Sequence, residues 1–305
     1  MDEPLVAVVG PTASGKSAWA LAIAEAFGGE VVGADSRQVY AGMAIGTVQP
    51  SDAARARVRH HLIGHADPAD RYNLVRFLAE ARAAIEEIRA RGRLPVLVGG
   101  SGQYVWALLE GWSVPEVEPD LELRARLEAR ASSEGAATLH ADLRSVDGRA
   151  AARIAATNVR RVIRALEVHA VTGRPISDWH EARDPKEALV VAPEVGLEQL
   201  DVRIGARAKG MFEAGFVEEV RALLAGGVAP EVAAMESVGY REVCRHLAGE
   251  LSEEETVEVV AQSTRKLARR QLRWFRPNDA RIQWVTQVQQ ALALAAVALR
   301  DARNG

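Results

Sequence analysis

Eight residues constrain this chain more than any others. Residues 10–17 read GPTASGKS, directly after a short valine-rich run, LVAVV at 5–9. The octet fits G-x-x-x-x-G-K-[ST], a loop built between a buried strand and a helix. Gly10 and Gly15 let the backbone wrap close to a phosphate, with Pro11, Thr12, Ala13 and Ser14 forming the turn between them. Backbone N–H groups from Ala13 to Ser17 are expected to point inward, where the helix N-terminus adds partial positive charge. Lys16 would place an ammonium on the terminal phosphates, and the Ser17 hydroxyl could ligate Mg²⁺. The motif implies a diphosphate or triphosphate ligand. It does not say which, nor that a phosphoryl group moves.

The rest of the chain agrees with an α/β class. After a helix over 16–26, EVVGA at 30–34 reads as a second strand ending at Asp35. Leu74, Phe77, Leu78, Ala81, Ile85 and Ile88 fall on one face of a helix over 74–91, and LPVLVGG gives a third strand. Alternating strands and helices predict a mostly parallel sheet flanked by helices. Near Trp112 the pattern changes. WSVPEVEP is a connection, and helical periods then run alone to about Trp179. A strand over Pro193–Leu200, helices over 202–225 and 252–276, and an edge strand over 281–285 follow. The expected organisation is a P-loop core, 1–113 with 196–305, carrying an all-helical insertion at 114–195. A chain of 305 residues accommodates both. No apolar run approaches the roughly 18–20 residues of a membrane span. The start, MDEPLVAVVG, lacks a basic leader region, and Cys244 is the only cysteine. A cytoplasmic monomer without a disulfide is expected.

Ligands of open α/β sheets sit at the carboxyl ends of strands. Asp35 is therefore expected to face the phosphate loop, as a general base or a Mg²⁺ ligand. Ser36, Arg37 and Gln38 beside it are types that hydrogen-bond base edges or phosphate. GGSGQY at 99–104 would offer Ser101 to the same crevice. His60, His61 and His65 lack further metal-ligating partners in sequence and read as structural.

Net charge is −3, so no overall positive field draws in nucleic acid. The basic residues are unevenly placed, however, and 34 of 38 are arginine. Residues 148–166 contain no acid. Taking Val159 as zero, Val162, Ile163 and Leu166 lie between about −60° and +40°, and Arg160, Arg161 and Arg164 between about 100° and 200°. RKLARRQLRWFR at 265–276 is also acid-free; its basic side chains lie about 160–300° from Leu267, with Trp274 on the Leu267 side. A solvated helix usually mixes Glu with its Arg, so both faces point to a polyanion, and local stripes on an acidic protein suit a folded RNA.

Read in order, GPTASGKS, DSRQVY, GTVQP, HHLIG, GGSGQY, NVRRVIRALEV with TGRPIS, RIGARAKGMFEAGFVEEV, SVGYREV and RRQLRWFR resemble the tRNA dimethylallyltransferase family, also called tRNA isopentenyltransferases. The resemblance spans about residues 5–276. It implies transfer of a dimethylallyl group from dimethylallyl diphosphate to the exocyclic N6 amine of the adenosine 3′-adjacent to the anticodon, with diphosphate leaving. By position, Asp35 matches the general base. Ser101 stands where the family usually has Thr, and Arg203 or Arg207 matches a diphosphate ligand. Asp35 to Gln38, Ser101, Arg124, Arg160, Arg161, Arg164, Ser237 to Arg241, and Arg269 to Arg276, including Arg270 and Arg273, match positions contacting the tRNA anticodon stem-loop. Mg²⁺ is the expected cofactor. The chain departs from the family pattern at Gln49 (Lys is common), Gly64 (Asp is usual) and Lys209 (Asp is frequent), and IAATN lacks a common His-Pro. The rival readings are a small-molecule P-loop kinase using ATP, with the basic helices as a lid, and an RNA-binding NTPase switch.

Overall fold

The computed structural model describes residues 5–179 and 187–304. The first residues of the acidic start and residues 180–186 of the expected insertion lie outside them. Six strands form one parallel sheet: β1 Leu5–Val9, β2 Glu30–Gly33, β3 His60–His61, β4 Pro95–Gly99, β5 Ala188–Pro193 and β6 Ile282–Val285, in the order β3-β2-β4-β1-β5-β6. β1, β2 and β4 are buried along their whole length. A strand covered on both faces cannot alternate with polar residues, which is why LVAVV and PVLVG are continuous apolar runs. β4 lies between β2 and β1, so the segments after these three strands emerge side by side.

The first four helices are α1 Lys16–Phe27, α2 Asp52–Arg57, α3 Leu74–Ala90 and α4 Gly102–Leu109. Four more follow: α5 Leu121–Glu134, α6 Ala136–Val146, α7 Gly148–Arg153 and α8 Val159–Thr172. The last five are α9 Leu197–Glu213, α10 Phe216–Ala225, α11 Tyr240–Leu247, α12 Glu253–Leu272 and α13 Val288–Asn304. Ile23 and Ala24 of α1 and Ala291 and Ala295 of α13 pack with Val6, Val8, Val96 and Val191 of the sheet. α3 buries Phe77, Leu78, Ala81, Ile85 and Ile88, the stripe expected from their spacing.

The chain forms two compact units, 1–109 with 186–305, and 110–185. The sheet takes in Ala188–Pro193 as β5, which pairs with β1 from Leu5↔Ala188 to Val8↔Val191, so these residues leave the helical stretch expected to reach 195. The strand expected over Pro193–Leu200 is also displaced: it ends at Pro193, and Leu197 begins α9. ALVVAP is the apolar run that two strand neighbours demand. Leu200 and Ile204 instead have helical spacing and are buried. The helix expected over 202–225 breaks at Ala214–Gly215, and that over 252–276 stops at Leu272.

Helices α5 to α8 make their own core, with Leu127, Leu139, Leu143, Val162 and Ile163 buried. Inside this unit Glu167 is fully buried. It accepts the Asp120 N–H at 2.8 Å, Nε and Nη2 of Arg124 at 2.8 and 2.7 Å, and Nη1 of Arg164 at 2.6 Å. Burial opposes its charge, yet the Arg124 and Arg164 hydrogen bonds outweigh burial and hold its carboxyl below the usual range. A carboxyl with a lowered pKa stabilises the fold above its unfolded value, and that contribution is lost as pH falls through the folded value. Removing one member of a buried, hydrogen-bonded ion network costs about 3 kcal/mol. Glu167→Ala is therefore expected to lower the urea midpoint of this unit at neutral pH and to flatten its acid sensitivity. An unchanged midpoint would contradict the assignment.

Candidate active site

The phosphate loop joins the end of β1 to α1. Three residues of the loop have positive φ: Gly10 at 137°, Ala13 at 64° and Gly15 at 98°. Gly15 is the N-cap of α1 and supplies no side-chain cap. The N–H groups of Gly15, Lys16 and Ser17 therefore have no protein partner among the described residues. The Ser14 N–H differs from expectation, because the Pro11 carbonyl takes it at 3.3 Å. The Ser14 side chain compensates: its Oγ is buried without a hydrogen-bond partner. A buried orphan hydroxyl is costly, and a phosphate oxygen held by the neighbouring N–H groups would satisfy it. Lys16 Nζ rests on the Pro11 carbonyl at 3.2 Å. Desolvation in the crevice pulls its pKa down to about 8; Asp35 opposes the shift, and Arg207 adds to it.

Two C-terminal helices clamp the loop. On α9, Leu200, Ile204 and Ala208 pack with Val260, Ala261 and Ala268 of α12 and with Ala13 of the loop. That seam turns Arg203 and Arg207 toward the loop. Arg203 Nη1 donates to the Ser14 carbonyl at 3.2 Å, so it braces the outside of the turn. Arg207 Nη1 donates to Thr12 Oγ1 at 3.2 Å, and burial lowers its pKa. From α12, Gln271 Oε1 accepts the Thr12 N–H at 2.7 Å. The sequence reading had Gln271 only within the Arg269 to Arg276 stretch matched to tRNA contacts and missed its hold on the phosphate loop. Its signal was a polar side chain on the same helical stripe as Val260, Ala261 and Ala268.

Asp35 and Ser101 follow β2 and β4; β4 lies beside β1, the strand that leads to the phosphate loop, and β2 lies on the far side of β4. Asp35 Oδ1 accepts the Arg37 N–H at 2.9 Å. Ser101 Oγ accepts the Ser36 N–H at 3.0 Å and donates to Ser36 Oγ at 3.3 Å, joining the two strand ends. Arg37 reaches away, to the Ala233 carbonyl at 2.5 Å. Gln38 Nε2 is also occupied, by the carbonyls of Thr47 and Val48 at 2.9 and 2.8 Å. These two side chains thus brace the loop in this structure. Glu219 of α10, missed in sequence, accepts the N–H groups of Ile45 and Gly46 and the Tyr240 hydroxyl.

Two of the departures from the family pattern meet in space. Gln49 Nε2 donates to the carbonyls of Gln38 and Tyr40 at 3.0 and 2.8 Å, so it ties GTVQP to DSRQVY. A Cβ at Gly64 would lie 2.7 Å from Gln49 Oε1. Gly64 therefore leaves room for the carboxamide, whose Oε1 accepts from Arg55 Nη2 at 3.2 Å. Lys209 faces a shallow hollow lined by Glu253, Glu254 and Glu258, whose charge it complements. Asn158 caps α8 by accepting the Arg161 N–H, without a preceding Pro.

The arginine faces are smaller than their composition implies. In the helical unit, Arg124 and Arg164 are committed to Glu167, while Arg160 and Arg161 are exposed and make no ion pair among the described residues. Glu167, the acid that takes Arg124 and Arg164, lies one residue beyond the acid-free stretch. In the core unit, Arg269 pairs with Asp201 through bonds of 3.1 and 2.8 Å. Arg241, Arg270, Arg273 and Arg276 are exposed. Trp274 was placed on the packed side with Leu267 but is 40% exposed, and Phe275 is fully buried instead. Helix α12 ends at Leu272, so Trp274 no longer follows helical phase.

The site contains no cluster of three metal-ligating side chains among the described residues. The Ser17 hydroxyl is exposed and makes no hydrogen bond to the protein there. One hydroxyl beside a diphosphate suits Mg²⁺, which is usually held by one or two protein oxygens, substrate phosphates and water. His60 and His61 bond the Val58 carbonyl and Glu30, both at 2.7 Å, in keeping with a structural role.

Comparison with known proteins gives concordant matches. The family described as IPP transferase matches residues 38–278, and that described as Isopentenyl transferase matches residues 4–64. A tRNA dimethylallyltransferase from Thermomicrobium roseum is 47% identical over 93% of this chain and 87% of its own. One from Geobacter sulfurreducens is 45% identical over 97% and 96%. Among solved structures, a tRNA isopentenylpyrophosphate transferase from Bacillus halodurans is 34% identical, with a TM-score of 0.72, over 100% of this chain and 99% of its own. A eukaryotic dimethylallyltransferase described as acting on tRNA is 25% identical, with a TM-score of 0.84, over 98% and 80%.

Proposed function

The chain belongs to the IPP transferase family, and from that premise we infer that it transfers a dimethylallyl group from dimethylallyl diphosphate to tRNA, releasing diphosphate. The match over residues 38–278 carries this reading over that of a P-loop kinase, which would share only the loop. The acceptor we assign is the N6 amine of the adenosine 3′-adjacent to the anticodon. We place the enzyme in the cytoplasm as a monomer; no helix among the described residues is long and apolar enough to cross a membrane.

The diphosphate would lie in the loop 10–17, on the free N–H groups of Gly15, Lys16 and Ser17, with the Ser14 hydroxyl and Lys16 ammonium as further donors. Of the two arginines, Arg207 is the better diphosphate ligand. Its half-buried guanidinium stands near Lys16, whereas Arg203 is turned to loop carbonyls. When bound through Ser17 and the diphosphate, Mg²⁺ supplies charge neutralisation for the leaving group. The adenine must leave the anticodon-loop stack for its amine to reach the donor. Its N6 lone pair then forms the bond to C1 of the dimethylallyl group. The C1–O bond breaks with its electrons passing to diphosphate, and Asp35 takes one N6 proton. Oδ1 of Asp35 is held by the Arg37 N–H, which leaves Oδ2 as the acceptor. Ser101, joined to Ser36, would orient the nucleotide beside Asp35.

The test uses purified protein, unmodified tRNA, Mg²⁺ and labelled dimethylallyl diphosphate, with and without ATP. Label should enter tRNA without ATP, and intact diphosphate should appear. Label transfer only with ATP hydrolysis, or ATP consumption without transfer, would overturn the reading.

Arg160 and Arg161 are the strongest candidates for phosphate contacts in the helical unit, because no carboxylate competes for them. Each phosphate contact contributes about 0.7–0.9 to the slope of log affinity against log salt. Arg161→Ala should weaken tRNA binding and flatten that slope by about one contact. Unchanged affinity and slope would return Arg161 to a solvated surface role.

A further inference from the structure

The end of α12 touches both halves of the site at once. Gln271 is only 7% exposed and grips the phosphate loop at the Thr12 N–H. The other end of its carboxamide lies on the turn that carries Ser101: a Cβ at Gly100 would fall 2.3 Å from Gln271 Nε2. Two residues on, a Cβ at Gly102 would fall 2.2 Å from Cγ of Trp274. Two of the three glycines of GGSG, Gly100 and Gly102, are therefore where Gln271 of α12 and Trp274 just beyond its end seat. Trp274 is fixed in turn by its carbonyl, which accepts from Trp106 Nε1 at 3.3 Å. Ser101 lies between these two contacts and leads to Ser36 and Asp35.

Arg270 and Arg273 flank Gln271 in sequence and are exposed. The loop that Gln271 holds is conformationally costly. Ala13 has φ 64°, a left-handed conformation that disfavours residues other than glycine. Whatever immobilises α12 also immobilises a support of that loop. We propose that Gln271 is a positioning residue that couples the two substrates: RNA held on Arg270 and Arg273 orders the phosphate loop through Gln271, and diphosphate in the loop reciprocally favours RNA binding. The proposal rests on the tRNA prenylation reading. Reciprocity follows from linkage, since any free energy by which one ligand favours the other must act in both directions.

The experiment measures binding of inorganic diphosphate with Mg²⁺ to the full chain by calorimetry, with and without an unmodified anticodon stem-loop. In the wild type the stem-loop should tighten diphosphate binding by about 5–10-fold, and diphosphate should tighten stem-loop binding by the same factor. Gln271→Met keeps side-chain length and removes both hydrogen-bonding groups. Gly100→Ala keeps the Gln271 residue but displaces its carboxamide, since the new methyl would lie 2.3 Å from Nε2 and 3.2 Å from the Gly10 carbonyl oxygen. Each should bring the coupling factor close to unity while changing the separate affinities much less. Hydrogen exchange of the 10–17 peptide should slow on stem-loop binding in the wild type and not in the variants. No coupling in the wild type, or coupling retained in both variants, would overturn the proposal. So would a fall in thermal stability with both affinities weakened and their coupling intact, since that marks a purely structural role. Coupling is read without turnover, whereas failure of the wild type to prenylate tRNA would strike the function itself.

Discussion

Asp35→Asn is expected to reduce kcat by about 10²–10⁴-fold in single-turnover assays while tRNA affinity stays within a few-fold. An aromatic amine is a poor nucleophile, because its lone pair is delocalised into the ring. Removal of an N6 proton as the new bond forms therefore makes a large difference to the barrier. Asparagine has nearly the same shape and can still accept the Arg37 N–H through its carbonyl oxygen, as Oδ1 does at 2.9 Å. Local structure should survive and only the basic group is lost. Near wild-type turnover in Asp35→Asn would remove Asp35 from the reaction.

The second large effect is expected at Lys16. Negative charge grows on the leaving diphosphate as the C–O bond breaks, and a preorganised donor at that point is worth about 10²–10³-fold in kcat. Lys16→Ala should lose turnover on that scale without disturbing α1, whose buried side chains are Ala20, Ile23 and Ala24. Lys16 also leaves a signature in pH. In the free enzyme its pKa is drawn down to about 8 by desolvation. Bound diphosphate favours the ammonium. Below pH 8 the proton is already in place; above it, binding must take one up, so affinity falls by up to about tenfold per pH unit. Calorimetry in buffers of different ionisation heat should detect proton uptake at pH 9 in the wild type and none in Lys16→Ala. Equal proton uptake in both proteins would assign it elsewhere.

The parts of the site most legible in sequence were those set by local chain geometry. A loop between β1 and α1 needs its glycines and lysine at fixed spacing, and Asp35 had only to follow an apolar run. Contacts between distant segments were much less legible. Gln271 meets Thr12 across 259 positions, and its environment in RRQLRWFR looked like one more surface face. Charge pairing hid in the same way: Glu167, just beyond the acid-free stretch, takes Arg164 from its basic face and Arg124 from α5. The shift from Pro193–Leu200 to Ala188–Pro193 has a similar cause. A strand is defined by its neighbours, and β1 and β6 on either side of β5 come from opposite ends of the chain.

That arrangement orders events at the ribosome. The strands β1, β2 and β4, with the phosphate loop and Asp35, are synthesised first, but β5, α9 and α12 emerge only after the helical unit. Until then β1 lacks its second neighbour, and Arg203, Arg207 and Gln271 do not yet exist to brace Thr12 and Ser14. A nascent chain ending at residue 185 thus carries the whole phosphate motif and an unpaired apolar strand edge, the kind of edge that recruits chaperones or aggregates. On the proposed reading, the donor site would be complete only late in synthesis, once α12, the last helix that braces the loop, has left the exit tunnel.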